Sequence, residues 1–358
     1  MITEEKNLLE DEQELFEHHR IEADKGQALL RIDKYLLHKL SNASRTKIQA
    51  AADAGNIQVN GKPIKSSYKV KPFDVITILL PHPPKNFELI PQNISLNIMY
   101  EDADIMIVNK PAGMVVHPAF GHENGTLVNA LLYHFEHLPP AQSKVGTDIY
   151  APRPGLVHRI DKNTSGILIV AKNEIALTLL AKKFFDHDLT RKYVTLVWGN
   201  VLNDEGTITG NVGRNVRNRK IMDVFTDETQ GKHAVTHYKV LERFGYVTLV
   251  ECTLETGRTH QIRVHMKSIG HRIFNDADYG GDQILKGTKT ATYKKFVENC
   301  FALCPRQALH AKLLEIEHPA TKKMMKFESD LPDDMKNLLD KWRKYSSHKA
   351  LEESEEGE

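Results

Sequence analysis

His158-Arg159-Ile160-Asp161-Lys162-Asn163-Thr164-Ser165-Gly166 sets one carboxylate among groups that hold negative charge: Arg159, Lys162, the hydroxyls of Thr164 and Ser165, and the backbone N–H groups ahead of Gly166. Ile167-Leu168-Ile169-Val170 follows at once, an apolar run that reads as a buried strand. A carboxylate on a polar loop beside a core strand is held rigidly and open on one side. A nucleophile or a general base is mounted in this way. On the loop alone, an Asp that merely caps its own backbone is an equal reading.

The frame for such a loop is ample. The chain has 358 residues, enough for two domains, with 41% hydrophobic and 27% charged residues, an ordinary composition for a packed core. No apolar run reaches the length of a membrane span and the N-terminus is acidic, so neither a transmembrane helix nor a signal peptide is expected. Three cysteines, Cys252, Cys300 and Cys304, make no disulfide framework and point to a reducing cytoplasm. Cys300 and Cys304 have no second pair at zinc spacing, and no metal site is expected. The net charge of +1 is bland, but residues 31–72 carry nine basic against two acidic side chains, a footprint for a polyanion.

Pattern divides the chain into an acidic, flexible extension (1–27), a basic module (28–80), a linker (81–92), a large domain (93–330) and a C-terminal helix with an acidic solvated tail (331–358). Within the extension, Glu12 to Glu22 reads as a frayed helix. In the module a helix over 28–40 precedes a second one capped by Ser44 and stopped by Gly55. Asn60-Gly61 between Ile57-Gln58-Val59 and Lys62-Pro63-Ile64 is a tight hairpin. The prolines of Pro81-His82-Pro83-Pro84 make the linker semi-rigid. In the large domain, hairpin-paired strands outnumber helices, so the fold class is α+β with a largely antiparallel sheet flanked by helices.

Four stretches in order resemble the RluA/RluD family of pseudouridine synthases. They are Asn109-Lys110-Pro111-Ala112-Gly113-Met114-Val115-Val116-His117-Pro118, the Asp161 loop with Ile160 in place of the usual Leu, Arg191-Lys192-Tyr193, and Gly257-Arg258-Thr259-His260-Gln261-Ile262-Arg263-Val264-His265. The resemblance covers nearly all of the chain except its ends. The module resembles the alpha-L RNA-binding motif first found in a ribosomal small-subunit protein, with Phe73 where that pattern usually has Gly. Its basic face, with Arg45, Lys47 and Lys62, is expected to grip phosphates without reading sequence.

The resemblance implies isomerisation of uridines in structured RNA. Its first motif and basic module look most like the RluD branch, which implies large-subunit ribosomal RNA, or its precursor particle, as substrate of a monomeric cytoplasmic enzyme. The N-glycosidic bond must break, the base turn, and a carbon–carbon bond form, all without a metal or organic cofactor. Asp161 is the expected catalytic residue, by attack on the anomeric carbon, by attack on the uracil ring, or by taking a sugar proton. The resemblance gives Arg263 as its cationic partner, with an RNA phosphate contact as the other possibility; for Arg258 the preference is reversed. Tyr193 is expected to stack on a flipped base, and its hydroxyl could assist a proton transfer. Arg159 either fills the gap left by the extruded base or clamps a phosphate. His158 is expected to be a hydrogen-bonded loop histidine. Leu309 or Leu313 lines the uracil pocket, and His117 with Pro118 either shapes the cleft or ends a strand. The competing function is a non-catalytic RNA-binding or ribosome-assembly factor on the same fold, which would need no Asp161, Tyr193 and Arg263 together.

Overall fold

The structure, a computed structural model, describes residues 16–40, 43–80, 89–118, 122–135, 140–141, 153–218, 220–226 and 230–355. The proline segment expected as a linker lies outside them at 81–88. The chain divides into two compact units, one built from residues up to 88 and the other mainly from residue 89 onward.

The first unit runs β1 (Phe16–Glu22), β2 (Leu30–Arg31), α1 (Ile32–Lys39), α2 (Arg45–Asp53), β3 (Ile57–Val59), β4 (Lys62–Pro63), β5 (Lys69–Val70) and β6 (Val75–Leu80). Its main sheet has the order β1-β6-β3-β4, and β2 pairs with β5. The Ser44 hydroxyl caps α2 by accepting the Lys47 N–H. Asn60 and Gly61 turn the β3–β4 hairpin at φ 51° and 77°. Ile32, Leu36, Ile48, Ala52, Ile57 and Ile76 form the small core.

Two expectations fail in this unit. Residues 16–22 are not a frayed helix but an edge strand antiparallel to β6, running from Phe16↔Leu80 to Glu22↔Val75. A bulge between Glu17 and His19 breaks the period-two alternation that marks a strand in sequence. The partner strand is also distant in the chain, so local pattern could not reveal it. The described part of the expected flexible extension is therefore part of the fold. The first helix likewise starts at Ile32 and not at 28, because Leu30 and Arg31 pair with Val70 and Lys69.

Phe73 takes the left-handed conformation that suits glycine, at φ 64°, and is 58% exposed. A non-glycine residue there costs about 1–2 kcal/mol of strain, against about 0.5–1 kcal/mol of extra chain entropy for glycine. Phe73→Gly is therefore expected to stabilise the unit by up to about 1 kcal/mol. Denaturant unfolding of the full chain checks this, and a lowered midpoint for this unit would refute it.

The second unit contains β7 (Ile98–Glu101), β8 (Ile105–Lys110), α3 (Leu127–His134), β9 (Pro140–Ala141), β10 (Arg153–Pro154), β11 (Ser165–Ala171), α4 (Glu174–Asp186), β12 (Thr190–Trp198), β13 (Glu205–Arg214), β14 (Met222–Phe225), β15 (Lys232–Arg243), β16 (Val247–Leu254), α5 (Gln261–Ser268), α6 (Ala291–Leu303), β17 (Leu309–Glu317), β18 (Met324–Glu328) and α7 (Asp333–Glu355). Its sheet has the order β14-β13-β15-β16-β12-β17-β11-β8-β7, with β18 also on β17, and β9 pairs separately with β10. Among the described ladders only β11 with β17 is parallel. The fold is α+β with a mostly antiparallel sheet, as the sequence indicates.

Lys192 to Trp198 reads in sequence as an alternating, half-buried strand, but β12 is buried on both faces from Tyr193 to Trp198, because it lies in mid-sheet between two cores. Tyr193 and Val197 face a core with Ile160, Leu254, Ile262 and Leu309. Val194, Leu196 and Trp198 face a second core closed by α6 and α7 through Tyr293, Cys300, Leu338 and Trp342. Residues 351–355, expected in a solvated tail, continue α7. No helix of the described residues is long and apolar enough to cross a membrane.

Candidate active site

The Asp161 loop is tied down at almost every residue. Its turn is closed by Thr164 N–H donating to the Asp161 carbonyl at 3.1 Å. The Lys162 carbonyl accepts from Gly113 N–H at 2.9 Å and from Lys110 Nζ at 3.0 Å. Arg306 Nη1 donates to the Asn163 carbonyl at 3.0 Å and Nη2 to Ser165 Oγ at 3.2 Å. Gly166, at φ 115°, lies against β17 so closely that a Cβ would stand 2.2 Å from the Ala311 carbonyl oxygen. Glycine after Thr164-Ser165 is therefore a steric requirement of the parallel β11–β17 pairing, which fixes the loop beside Leu309.

Asp161 projects from this loop with its side chain 22% exposed. Arg263 Nη1 donates to Asp161 Oδ2 at 3.2 Å. Helix α5 carries Arg263 inward, only 4% exposed, and two more carboxylates hold it. Nε and Nη2 donate to Asp276 at 2.7 Å each, and Nη2 donates to Asp278 at 2.6 Å. Burial opposes the Arg263 charge, but Asp276, Asp161 and Asp278 outweigh it and push its pKa up. The guanidinium is thus a permanent cation aimed at Asp161, fixed in a plane by a buried bidentate pair.

Around Asp161 lies a small open cleft lined by Arg159, Thr164, Tyr193, Arg258, His260 and Leu309, among others. Tyr193 is 8% exposed, and burial raises its pKa, so its phenol keeps its proton. Leu309 gives an apolar wall. Arg159 is exposed at the rim. Arg258 donates Nε to the His233 carbonyl at 3.0 Å. The structure thus brings Asp161, Tyr193, Arg263, Arg159, Arg258 and Leu309 together.

Other expected residues fall elsewhere. Leu313 is opposite Lys192 in the β12–β17 ladder and does not line this cleft. His117 does not line it either; its Nδ1 is 3.0 Å from the Pro118 carbonyl. His158 accepts the Ile169 N–H at 3.1 Å and stacks on Phe184, and burial, then Arg191, lower its pKa to about 3, so it is a neutral framework group. Arg45, Lys47 and Lys62 are exposed on the first unit. Arg45 shares the fully buried Asp33 with Arg31, so part of its charge is spent internally.

Sequence reasoning missed four participants besides Arg306. Asp276 and Asp278 orient Arg263; two acids one residue apart, beside Gly280-Gly281, were the available signal. His260 opens α5 in the left-handed conformation, with Nε2 3.8 Å from Asp161 Oδ2 and Nδ1 2.8 Å from the Tyr279 hydroxyl. Lys110 is fully buried and donates to the carbonyls of Pro111, Met114 and Lys162. Burial, then Arg306, lower its pKa to about 7 against the pull of Asp161. One acidic group was also not anticipated: Asp102, Asp104 and His318 lie within metal-ligand reach. Hydrogen bonds already occupy it. His318 Nδ1 accepts from Ala320 and Thr321 N–H, which leaves Nε2–H facing Asp102 Oδ2 at 2.8 Å.

Residues 104–268 match the model of the RNA pseudouridylate synthases, and residues 30–76 match the S4 domain. The chain is 44% identical over 327 residues to an uncharacterized RNA pseudouridine synthase of Chlorobaculum parvum, across 90% of this chain and 97% of that one. It is 40% identical over 312 residues to the ribosomal large subunit pseudouridine synthase D of Zymomonas mobilis, across 86% and 92% of the two chains. Human RNA pseudouridylate synthase domain containing 4 has the same fold, with a TM-score of 0.52 at 21% identity over 69% of this chain and 93% of that one.

Proposed function

We propose that this chain, which belongs to the RNA pseudouridylate synthase family, isomerises uridines in large-subunit ribosomal RNA with Asp161 as its essential catalytic residue. The observation that carries the reading is the Asp161 carboxylate in the cleft, fixed by an arginine whose other nitrogens are locked to the buried Asp276. The substrate class rests on relatives named for the large ribosomal subunit, 38–40% identical over 85–86% of this chain.

In this reading the target uridine leaves its stack and enters the cleft. Arg159 at the rim fills the gap, which offsets part of the flipping cost of a few kcal/mol. The base lies against Leu309 and the ring of Tyr193. The Asp161 carboxylate then attacks the sugar or the ring, or takes a sugar proton, while Arg263 stabilises the charge as it shifts. The detached base turns in place and its C5 bonds to the anomeric carbon; C5 then gives up its proton and N1 takes one, so the isomerisation gains and loses nothing overall. Arg258 serves the RNA backbone. The S4 module, with Lys47, Lys62 and Arg45, grips phosphates and takes no part in the chemistry. The division into a binding module within 28–80 and a catalytic domain within 93–330 belongs to the proposal, with β1 now assigned to the module. In this reading the enzyme acts as a monomer, and the buried free thiols of Cys252, Cys300 and Cys304 suit the cytoplasm.

Incubating the purified protein with unmodified large-subunit RNA, naked or in precursor particles, and mapping pseudouridine tests the function. New pseudouridine at discrete positions is expected. RNA binding with no pseudouridine in either substrate would favour the assembly-factor reading.

Tyr193→Phe separates two roles of this ring. Phe keeps the stacking surface, worth about 1–3 kcal/mol against a flipped base, and removes only the hydroxyl. Turnover is expected to fall by roughly a hundredfold, the size of an acid–base contribution, with RNA affinity retained. Tyr193→Ala should lose both. Single-turnover kinetics decides it: Phe equal to wild type rejects the proton role, and Ala equal to wild type removes Tyr193 from the site.

A further inference from the structure

Arg191 is a buried charge outside the machinery of the active site. It is 8% exposed, and its Nε is enclosed without a hydrogen-bond partner. Among the described residues no carboxylate pairs with it and no acceptor receives any of its guanidinium nitrogens. Its contact is with the ring of Phe184, 5.4 Å from the guanidinium carbon. Burial pulls its pKa down, against the influence of Tyr193. Arginine so deep in a protein is normally paired, because burying a charge alone is costly and a cation–π contact recovers only part of that cost. Every other deeply buried arginine described here has its anion: Arg263 has three carboxylates and Arg306 has Asp334.

The place of Arg191 says what the missing anion is. It stands two residues before Tyr193 on β12, so both side chains leave the same face of the strand, roughly 7 Å apart along it. The guanidinium runs beneath Gly257, where a Cβ would stand 2.8 Å from Nη1. Gly257 is exposed and is followed by Arg258, which lines the cleft with Arg159. Arg191 therefore lies under the glycine that leads into Arg258, and it lacks a counter-ion. A uridine presented to Asp161 and Tyr193 carries a phosphate on each side of its ribose. A planar fork of N–H donors matches a phosphodiester.

We propose that Arg191 binds an RNA phosphodiester flanking the uridine held at Asp161. This rests on the RNA-isomerase reading above. The phosphate would be the ion pair that the free protein lacks, so the enzyme keeps a charge unpaired until its substrate supplies the partner.

A cycle between one side chain and one phosphate tests it. The phosphates 5′ and 3′ of the target uridine are replaced singly by methylphosphonate in an RNA fragment. Affinity and single-turnover rate are read for wild type, Arg191→Met and Arg191→Lys. One of the two replacements is expected to cost wild type roughly ten- to a hundredfold, the worth of a charge-assisted hydrogen bond, and less than about twofold in Arg191→Met. Arg191→Lys should keep part of the effect. Thermal unfolding of free Arg191→Met should show little loss of stability, because no ion pair or hydrogen bond is broken and Met still packs on the Phe184 ring. Additive costs at both phosphates overturn the proposal. So does a clear loss of stability without coupling, which would make Arg191 a framework residue. Turnover of the unmodified fragment by wild type reports separately on the isomerase reading, and the affinity arm of the cycle stands whatever that turnover is.

Discussion

Asp161→Asn is expected to abolish isomerisation while leaving both fold and RNA affinity in place. The substitution is nearly isosteric. Asn can still accept from Arg263 Nη1, which stands 3.2 Å from Asp161 Oδ2, and Arg263 keeps its bonds to Asp276 and Asp278. The loop itself is held by Lys110, Gly113, Arg306 and Gln307 through backbone and neighbouring groups, not through the Asp161 carboxylate. What disappears is the negative oxygen that attacks or takes a proton. Losing such a group costs about four to six orders of magnitude in well-studied hydrolases. RNA affinity should hold or rise slightly, since a negative charge is removed from a cleft bordered by Arg159 and Arg258. Mapping pseudouridine after long incubation is the measurement. Turnover above about a thousandth of wild type would show that Asp161 is not the essential group.

The contrast between Asp161 and its supports shows what sequence could and could not disclose. The catalytic loop was legible because a charged residue among hydroxyls, followed directly by Ile167-Leu168-Ile169-Val170, is a local pattern, and β11 follows from the same run. Arg263 came from motif resemblance, yet its geometry depends on Asp276 and Asp278, a turn beyond the end of α5. No periodicity connects a helix residue to a 3-10 turn thirteen positions later. Lys110 and Arg306 were missed for a related reason. Their work is to satisfy carbonyls of a loop more than fifty and more than a hundred positions away, respectively. The β1 strand was misread because its strand pairing is to the distant β6, and its bulge hides the alternation. Local chemistry is visible in one dimension; the residues that aim it are found only after folding.

Arg263→Met is expected to damage stability and catalysis by separable routes. Asp276 is 1% exposed, and both its oxygens are bonded by Arg263. Removing the guanidinium leaves that carboxylate buried and unpaired, which costs about 3–5 kcal/mol. In a domain of this size that is roughly 6–20 °C in melting temperature. Catalysis should fall at least a hundredfold, the usual loss when a fixed group that stabilises shifting charge is deleted. A simple loss of both properties would not show which role matters. Adding Asp276→Asn to Arg263→Met removes the stranded charge, so stability should largely return. Turnover should not return, because Asp161 still lacks the cation that held it in place. Arg263→Lys should fall between, since one ammonium cannot reach Asp161, Asp276 and Asp278 with the geometry of a planar fork. Melting temperature and single-turnover rate, measured together on these three variants, decide the matter. If the double variant regains turnover along with stability, the contact between Arg263 and Asp161 is dispensable, and Arg263 serves the fold alone.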